Sequence, residues 1–349
     1  MMKKKIAIIG SGFFGVSAAL ILSKKHNIDL YEKKKSILNG ASRANQMRFH
    51  QGYHYPRSIQ TLNEVKKYNK SFLKFYGNDV LGITNNYYAI SKINSKTNFD
   101  QFIKFLNKNK LYYKISKNNN FSDLVSKPIL SDEKNLDYFK IKKKILKKLK
   151  NSSVNLKLNT TFKKKELKRY DKVVVACYDQ NNLILKNLDL KPKKKYKYEL
   201  VEKIIIKLPK KYKKESFMVL DGKFVSLDPY LGSNFHLLSD VKDSKLEVIE
   251  NYYPIFKSSK KRFVNQGIIK NIKVSRFNNF IENCQKYLPF LKDAKYEGSF
   301  FVVRTLELNK ERTDERLNQI LHIDKKVITI LSGKWNTSVG LAQKLYKIL

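Results

Sequence analysis

Three glycines near the amino terminus have the spacing of a phosphate-binding turn. Residues 10–15 read Gly-Ser-Gly-Phe-Phe-Gly, between an apolar run at 5–9 and a helical apolar pattern at 13–25. The first glycine permits the tight turn, the second leaves room for a pyrophosphate, and the third lets the helix pack on the strand. Free N–H groups and the helix dipole favour phosphates there. The pattern predicts a dinucleotide site that includes Gly10, Gly12, Phe13, Phe14 and Gly15.

Glu32 lies about 20 residues further along, at the end of a second predicted strand, 27–31. A carboxylate at this position can hold both hydroxyls of an adenosine ribose, and its charge disfavours the 2′-phosphate of NADP. The next residue, Lys33, is a further candidate for the cofactor site, with a solvated surface lysine as the alternative.

The segment 41–55 is rich in polar and aromatic residues and indicates which dinucleotide binds. It resembles the segment after the second strand in the D-amino-acid-oxidase-like FAD superfamily, which includes glycine and sarcosine oxidases. The 2-hydroxyglutarate dehydrogenase branch is the most similar. That branch has Ser-x-x-Asn followed by His-x-Gly-x-x-Tyr, here Ser42, Asn45, His50, Gly52 and Tyr55. The resemblance implies FAD rather than NAD. Some relatives attach FAD covalently through a histidine in this region, but here we expect a hydrogen-bonded His50 and non-covalent FAD.

Three later segments continue this resemblance. Residues 160–162 resemble the segment that meets adenine. The strand 173–176 resembles the one that leads to the pyrophosphate, although the usual Ala-Gly is here Ala176-Cys177. Residues 332–337 resemble the closing loop that faces the flavin pyrimidine, where a helix start stabilises anionic reduced flavin. The cofactor-binding residues implied here are Phe162, Ala176, Gly333, Lys334 and Thr337.

The resemblance also implies a reaction, the transfer of a hydride from a C–H next to an amine or hydroxyl to flavin N5. The candidate catalytic residues are His50, His54, Arg48 and Arg304. Arg304 interrupts the apolar strand 299–306, where it either clamps an anionic substrate group or forms a structural ion pair. Arg48 departs from the family pattern and either binds an acidic substrate or pairs with a carboxylate.

The elements that position these residues predict an α/β protein. A βαβ start, a run of antiparallel strands and a strand–helix end indicate a Rossmann-like FAD-binding domain with an inserted antiparallel-sheet (α+β) substrate domain. We place the FAD-binding domain at 1–80, 137–190 and 297–349, and the substrate domain at 81–136 and 191–296.

Composition limits the remaining functional classes. The net charge of +42 suggests a nucleic-acid binder, but 63 of the 72 basic residues are lysines spread along the whole chain, which favours a solvated surface. No apolar run is long enough to span a membrane, and two cysteines predict neither disulfides nor a metal site.

The basic and apolar start resembles a signal peptide, but its glycines and the strand after it favour a cytoplasmic βαβ unit. We therefore expect a small, anionic substrate and no specific nucleic acid. Two alternatives stay open: a flavoprotein that acts on RNA, and a non-catalytic dinucleotide-binding regulator.

Overall fold

The computed structural model describes residues 2–221, 225–310 and 312–349. Its α-helices in that part of the chain are α1 (Phe13–Leu22), α2 (Ile59–Tyr76), α3 (Phe99–Lys108), α4 (Tyr138–Lys150), α5 (Asn181–Asn187), α6 (Phe277–Cys284) and α7 (Ser338–Ile348). Its strands are β1 (Lys5–Ile9), β2 (Asn27–Tyr31), β3 (Arg48–Phe49), β4 (Leu81–Gly82), β5 (Asn85–Ile90), β6 (Tyr113–Ile115), β7 (Ile129–Ser131), β8 (Lys134–Leu136), β9 (Asn155–Lys157), β10 (Lys172–Val175), β11 (Tyr196–Lys207), β12 (Glu215–Leu220), β13 (Val225–Tyr230), β14 (Phe235–Asp240), β15 (Lys245–Asn251), β16 (Lys295–Leu306), β17 (Gln319–His322) and β18 (Val327–Leu331).

The first sheet has the strand order β17-β18-β10-β1-β2-β9 and is parallel except for β17. Strand β1 pairs with β2 on one side and with β10 on the other, so the chain order reverses there. Ligands of open α/β sheets bind at the carboxyl ends of strands at such a reversal. All ten residues of α1 are buried, and this helix packs beside α7. The fold therefore places the Gly10–Gly15 loop at a binding position.

The second sheet is mostly antiparallel, with the strand order β15-β11-β14-β13-β12-β5-β7-β6. Strand β16 also pairs with β11, from Lys197 opposite Leu306 to Lys207 opposite Lys295. A third, short sheet joins β3, β8 and β4.

The predicted fold class, a Rossmann-like sheet combined with an antiparallel sheet, is confirmed. The predicted domain boundary at 297 falls within β16, which pairs with β11 of the antiparallel sheet along its whole length. Sequence pattern identifies β16 as a strand but not its partner, since pairing depends on residues about a hundred positions away. Within the described residues, no helix has both the length and the apolar character needed to cross a bilayer.

Candidate functional site

A cavity of about 900 Å³ extends from the carboxyl end of β1 to one face of β11 and β16. The glycine loop, the 41–48 segment and residues 160–162 line one part of it. Side chains of β11, β16 and the loop before β17 line another part. The cavity thus brings into one space most of the residues that the sequence singled out.

The glycine loop has the backbone that a pyrophosphate site requires. Gly10 has φ +97°, and a Cβ there would lie 2.7 Å from the Ala176 carbonyl oxygen. A Cβ on Gly15 would lie 1.8 Å from the Gly10 carbonyl oxygen, so this glycine serves helix packing and does not line the cavity. Gly12 caps α1 without a side-chain hydrogen bond, which leaves the helix start open to an anion.

Glu32 is held beside this loop. Its Oε2 accepts hydrogen bonds from the Ser11 backbone N–H (3.1 Å) and hydroxyl (2.6 Å), and its Oε1 accepts one from the Lys34 N–H (2.9 Å). A carboxylate has about four acceptor positions, and with three in use one remains for a ribose hydroxyl. Lys33 is exposed at the rim of the cavity.

The 41–48 segment turns over the start of α1. The Ser42 hydroxyl accepts a hydrogen bond from the Phe13 N–H (3.3 Å), which ties the segment to the glycine loop. Asn45 fixes the turn, because its amide donates to the Ser42 carbonyl (3.1 Å) and accepts from the Met47 N–H (2.7 Å). Both predicted residues line the cavity.

Two further segments border the same part of the cavity. Phe162 is buried and packs edge-on against Tyr31, with ring centroids 5.0 Å apart. Ala176 donates its N–H to the Ile9 carbonyl (2.8 Å), and the Cys177 thiol also reaches that carbonyl. Burial raises the pKa of Cys177 to about 12, so this thiol is protonated at neutral pH.

The closing loop before α7 borders the other part of the cavity. Gly333 donates its N–H to Asn318 (2.8 Å), and Lys334 lies over the Tyr55 ring, 4.8 Å from its centroid. Burial, with the nearby charges of Arg316 and Arg304, lowers the pKa of Lys334 to about 7. The predicted cofactor ligand Thr337 lies outside the cavity lining, and its hydroxyl bonds to Asn318 and the Lys334 carbonyl. Its place in the structure is therefore a support for the loop.

These residues fit FAD. The glycine loop would hold the pyrophosphate, Glu32 the ribose, Phe162 the adenine region and the 333–334 loop the flavin end. The fit rests on the glycines whose Cβ positions are blocked, the open start of α1 and the length of the cavity.

Comparison with known proteins agrees with this assignment. Residues 5–92 match the family model described as DAO, FAD dependent oxidoreductase. This match spans about a quarter of the chain. An FAD-dependent monooxygenase from Aspergillus flavus is 36% identical over 73 residues, which cover 21% of this chain and 17% of that protein. The superfamily and the FAD cofactor predicted from the sequence are thereby confirmed, as is the class of FAD-dependent oxidoreductase at the level of the family.

Solved structures show that the whole chain has the fold of such DAO-like proteins. L-α-glycerophosphate oxidase from Mycoplasma pneumoniae, solved with FAD bound, matches with TM-score 0.72 and 15% identity over 100% of this chain and 95% of that one. L-proline dehydrogenase from P. horikoshii matches with TM-score 0.69 and 13% identity, over 99% of this chain and 93% of that one. Glycine oxidase from Bacillus cereus matches with TM-score 0.66 and 13% identity, over 99% of this chain and 94% of that one.

In this DAO-like fold, His50, His54 and Tyr55 form a ring cluster at the cavity. The His50 ring centroid lies 5.7 Å from that of His54 and 5.6 Å from that of Tyr55. Burial, with the charge of Lys334 next in importance, lowers the pKa of both histidines, that of His54 to about 3. The imidazoles are therefore neutral near pH 7, and each can both donate and accept a hydrogen bond.

Arg48 forms a buried ion pair with protein carboxylates, the alternative to binding an acidic substrate. The side chain is 1% exposed, and its Nη2 lies 2.6 Å from both Asp228 Oδ1 and the Ser216 hydroxyl. Its Nη1 lies 3.3 Å from Glu133 Oε2. Burial alone would lower the pKa of Arg48, but the neighbouring Asp228 carboxylate raises it. Both terminal nitrogens of the guanidinium are therefore occupied by protein groups, and its Nε has no hydrogen-bond partner among the described residues.

Arg304 lines the cavity and has a carboxylate neighbour. Its Nη1 lies 3.4 Å from Glu199 Oε2, and Lys245 Nζ lies 3.4 Å from the other oxygen of the same carboxylate. The Arg304 side chain is 36% exposed, in contrast to 3% for Glu199, so part of its fork faces the cavity. Both roles considered for Arg304 are compatible with this geometry.

Sequence reasoning missed two cations of the site. Arg316 lines the cavity and pairs with Asp314 at 2.6 Å. Lys203 is a half-buried residue of β11 that lines the cavity beside Val201. A lysine within the β-branched run 201–206 is a signal that could have identified Lys203, but the high lysine content hides it.

Proposed function

We propose that this protein is a two-domain FAD-dependent enzyme that oxidises a small anionic substrate at a C–H next to an amine or a hydroxyl. The observation that carries the proposal is the single cavity, which reaches from the glycine loop to the cluster of His50, His54 and Arg304. A dinucleotide on the loop and a small molecule on the cluster would share one space. Bound FAD would supply the two-electron acceptor, at N5, for the substrate hydride.

Protein side chains supply the rest of the chemistry. The exposed part of the Arg304 guanidinium would bind an anionic group of the substrate and orient the molecule. His50 and His54, neutral at physiological pH and weak bases because burial lowers their pKa, would hydrogen-bond the amine or hydroxyl, and the proton that it releases would pass to solvent. Lys334, on the closing loop, would stabilise negative charge at the flavin pyrimidine.

The printed names of the structural neighbours support this reaction class without selecting one member. Glycine oxidase and L-proline dehydrogenase are named for amino acids, and L-α-glycerophosphate oxidase is named for an alcohol phosphate. The sheet that contains β11 and β16 would form the substrate domain, and the β1 sheet the FAD-binding domain.

The test is anaerobic mixing of the FAD-loaded protein with 2-amino acids, 2-hydroxy acids and phosphate esters of polyols. We expect at least one class to bleach the flavin absorbance, and product analysis for ammonia then separates amine from alcohol oxidation. If dithionite reduces the flavin but no substrate of the panel reduces it, the proposal is contradicted and a non-catalytic regulator is favoured.

A further inference from the structure

One face of β11 and β16 forms a floor of the cavity on the side away from the glycine loop. Side chains alternate along a strand, so Glu199, Val201 and Lys203 share this face of β11. Across the pair, Arg304 lies opposite Glu199 and Val302 opposite Val201. All five residues line the cavity. The floor is thus apolar in its centre, with a cation toward each end.

Lys203 has no counter-ion among the residues that the structure describes. Within the described part of the chain, its ammonium makes neither a hydrogen bond nor an ion pair, although its side chain is half-buried. Burial, together with the charge of Arg304, lowers its pKa to about 7. The carboxylate of Asp228 attracts it but is bound to Arg48. A buried cation of this kind is costly unless an anion accompanies it.

Arg304 is only partly neutralised. Its carboxylate partner Glu199 is shared with Lys245, and both contacts are 3.4 Å long. Two further cations near the floor are paired within the protein, Arg57 with Asp221 at 2.9 Å and Arg316 with Asp314 at 2.6 Å. The floor therefore has more positive charge than one monoanionic ligand would balance.

We propose that Lys203 and Arg304 are the two ends of a subsite for a substrate that carries two negative charges. The proposal rests on the oxidoreductase function proposed above and names its substrate class, a phosphate ester or a dicarboxylate. The two Cα atoms are four residues apart along the strands, about 13 Å at the rise of a strand. Long side chains that lean toward each other over Val201 and Val302 would leave room for a phosphate or a pair of carboxylates. The two valines would contact the carbon chain.

The test is calorimetric titration of the FAD-loaded protein at constant ionic strength with phosphate, sulfate, succinate and acetate. FAD on the glycine loop keeps the anions away from the pyrophosphate site. We expect a dianion to bind about tenfold or more tightly than acetate, because a second charged contact is formed. Lys203→Gln should remove this advantage, and Lys203→Arg should retain it. Lys207→Gln, at the exposed end of the same strand, is the matched control.

The relative affinities of these anions distinguish the two substrate classes and can refute the subsite. Tightest binding of phosphate and sulfate supports a phosphate ester, and tightest binding of succinate supports a dicarboxylate. Acetate that binds as tightly as the dianions, or a dianion affinity that Lys203→Gln leaves unchanged, overturns the subsite. Failure of the proposed function is seen separately, as flavin that no substrate reduces. Flavin reduction by monoanionic substrates alone, without dianion binding, refutes only the subsite.

Discussion

Replacement of Arg48 by methionine should destabilise the protein strongly. The side chain is 1% exposed, and its partners Asp228 and Glu133 are 0% exposed, so the variant leaves buried carboxylates without their cation. Breaking a buried ion pair from one side costs about 3–5 kcal/mol. The unfolding entropy is about 2.1 cal/mol/K per residue. Division of the lost stability by this entropy for the whole chain gives a Tm that is lower by about 4–7 °C.

The assay is calorimetric Tm measurement on FAD-loaded protein. Arg169→Met is the matched control, because Arg169 is 55% exposed and pairs only with Glu166 on the surface, where such pairs contribute about 0–1 kcal/mol. Addition of Asp228→Asn to Arg48→Met should recover part of the loss, since it removes one orphaned charge. A Tm equal to that of the control, together with a raised KM, would refute the structural role and return Arg48 to substrate binding.

Four further predictions concern the cofactor and the substrate. Gly12→Leu should abolish FAD uptake, because the leucine side chain would fill the pyrophosphate position. The fold should survive, because a Cβ at this position meets only Ser42 Oγ, at 3.2 Å. Equal FAD content in Gly12→Leu and wild type would contradict this prediction. Acid precipitation should release all the flavin, whereas flavin kept on the peptide that contains His50 would disprove non-covalent binding. Arg304→Lys should lower kcat/KM about 10–100-fold through loss of charge-assisted hydrogen bonds, with Tm little changed; a lower Tm with wild-type kinetics would make Arg304 structural. The KM of an anionic substrate should rise above pH 7, by up to about tenfold per pH unit, as Lys203 loses its proton, and a KM that is flat from pH 6 to about 9 would refute this.

Local patterns predicted the cofactor end of the protein well. The strand, glycine loop, helix and acid of residues 5–32 are consecutive in sequence, so their spacing determines their arrangement in space. Their side chains and N–H groups also have few alternative partners. For the same reason the 41–55 segment, read through its resemblance to a family, identified Ser42 and Asn45 as cavity residues.

Non-local contacts explain most of what the sequence could not show. The partners of Arg48 lie 85 and 180 residues away, so no local pattern distinguishes an ion pair from a substrate ligand. Strand β16 joins the antiparallel sheet through pairing with β11, which the pattern of its own residues does not encode. Lys203 lies on the cavity side of β11, a position that depends on how this strand pairs and not on its own sequence.

The most direct test of the central claim is one titration of the purified protein, first with FAD and NAD in competition and then, without oxygen, with a dianionic amino or hydroxy acid or a phosphate ester. The account predicts that FAD binds in preference to NAD and that at least one of these substrates bleaches its absorbance. A protein that binds NAD tightly and FAD not at all would contradict the account.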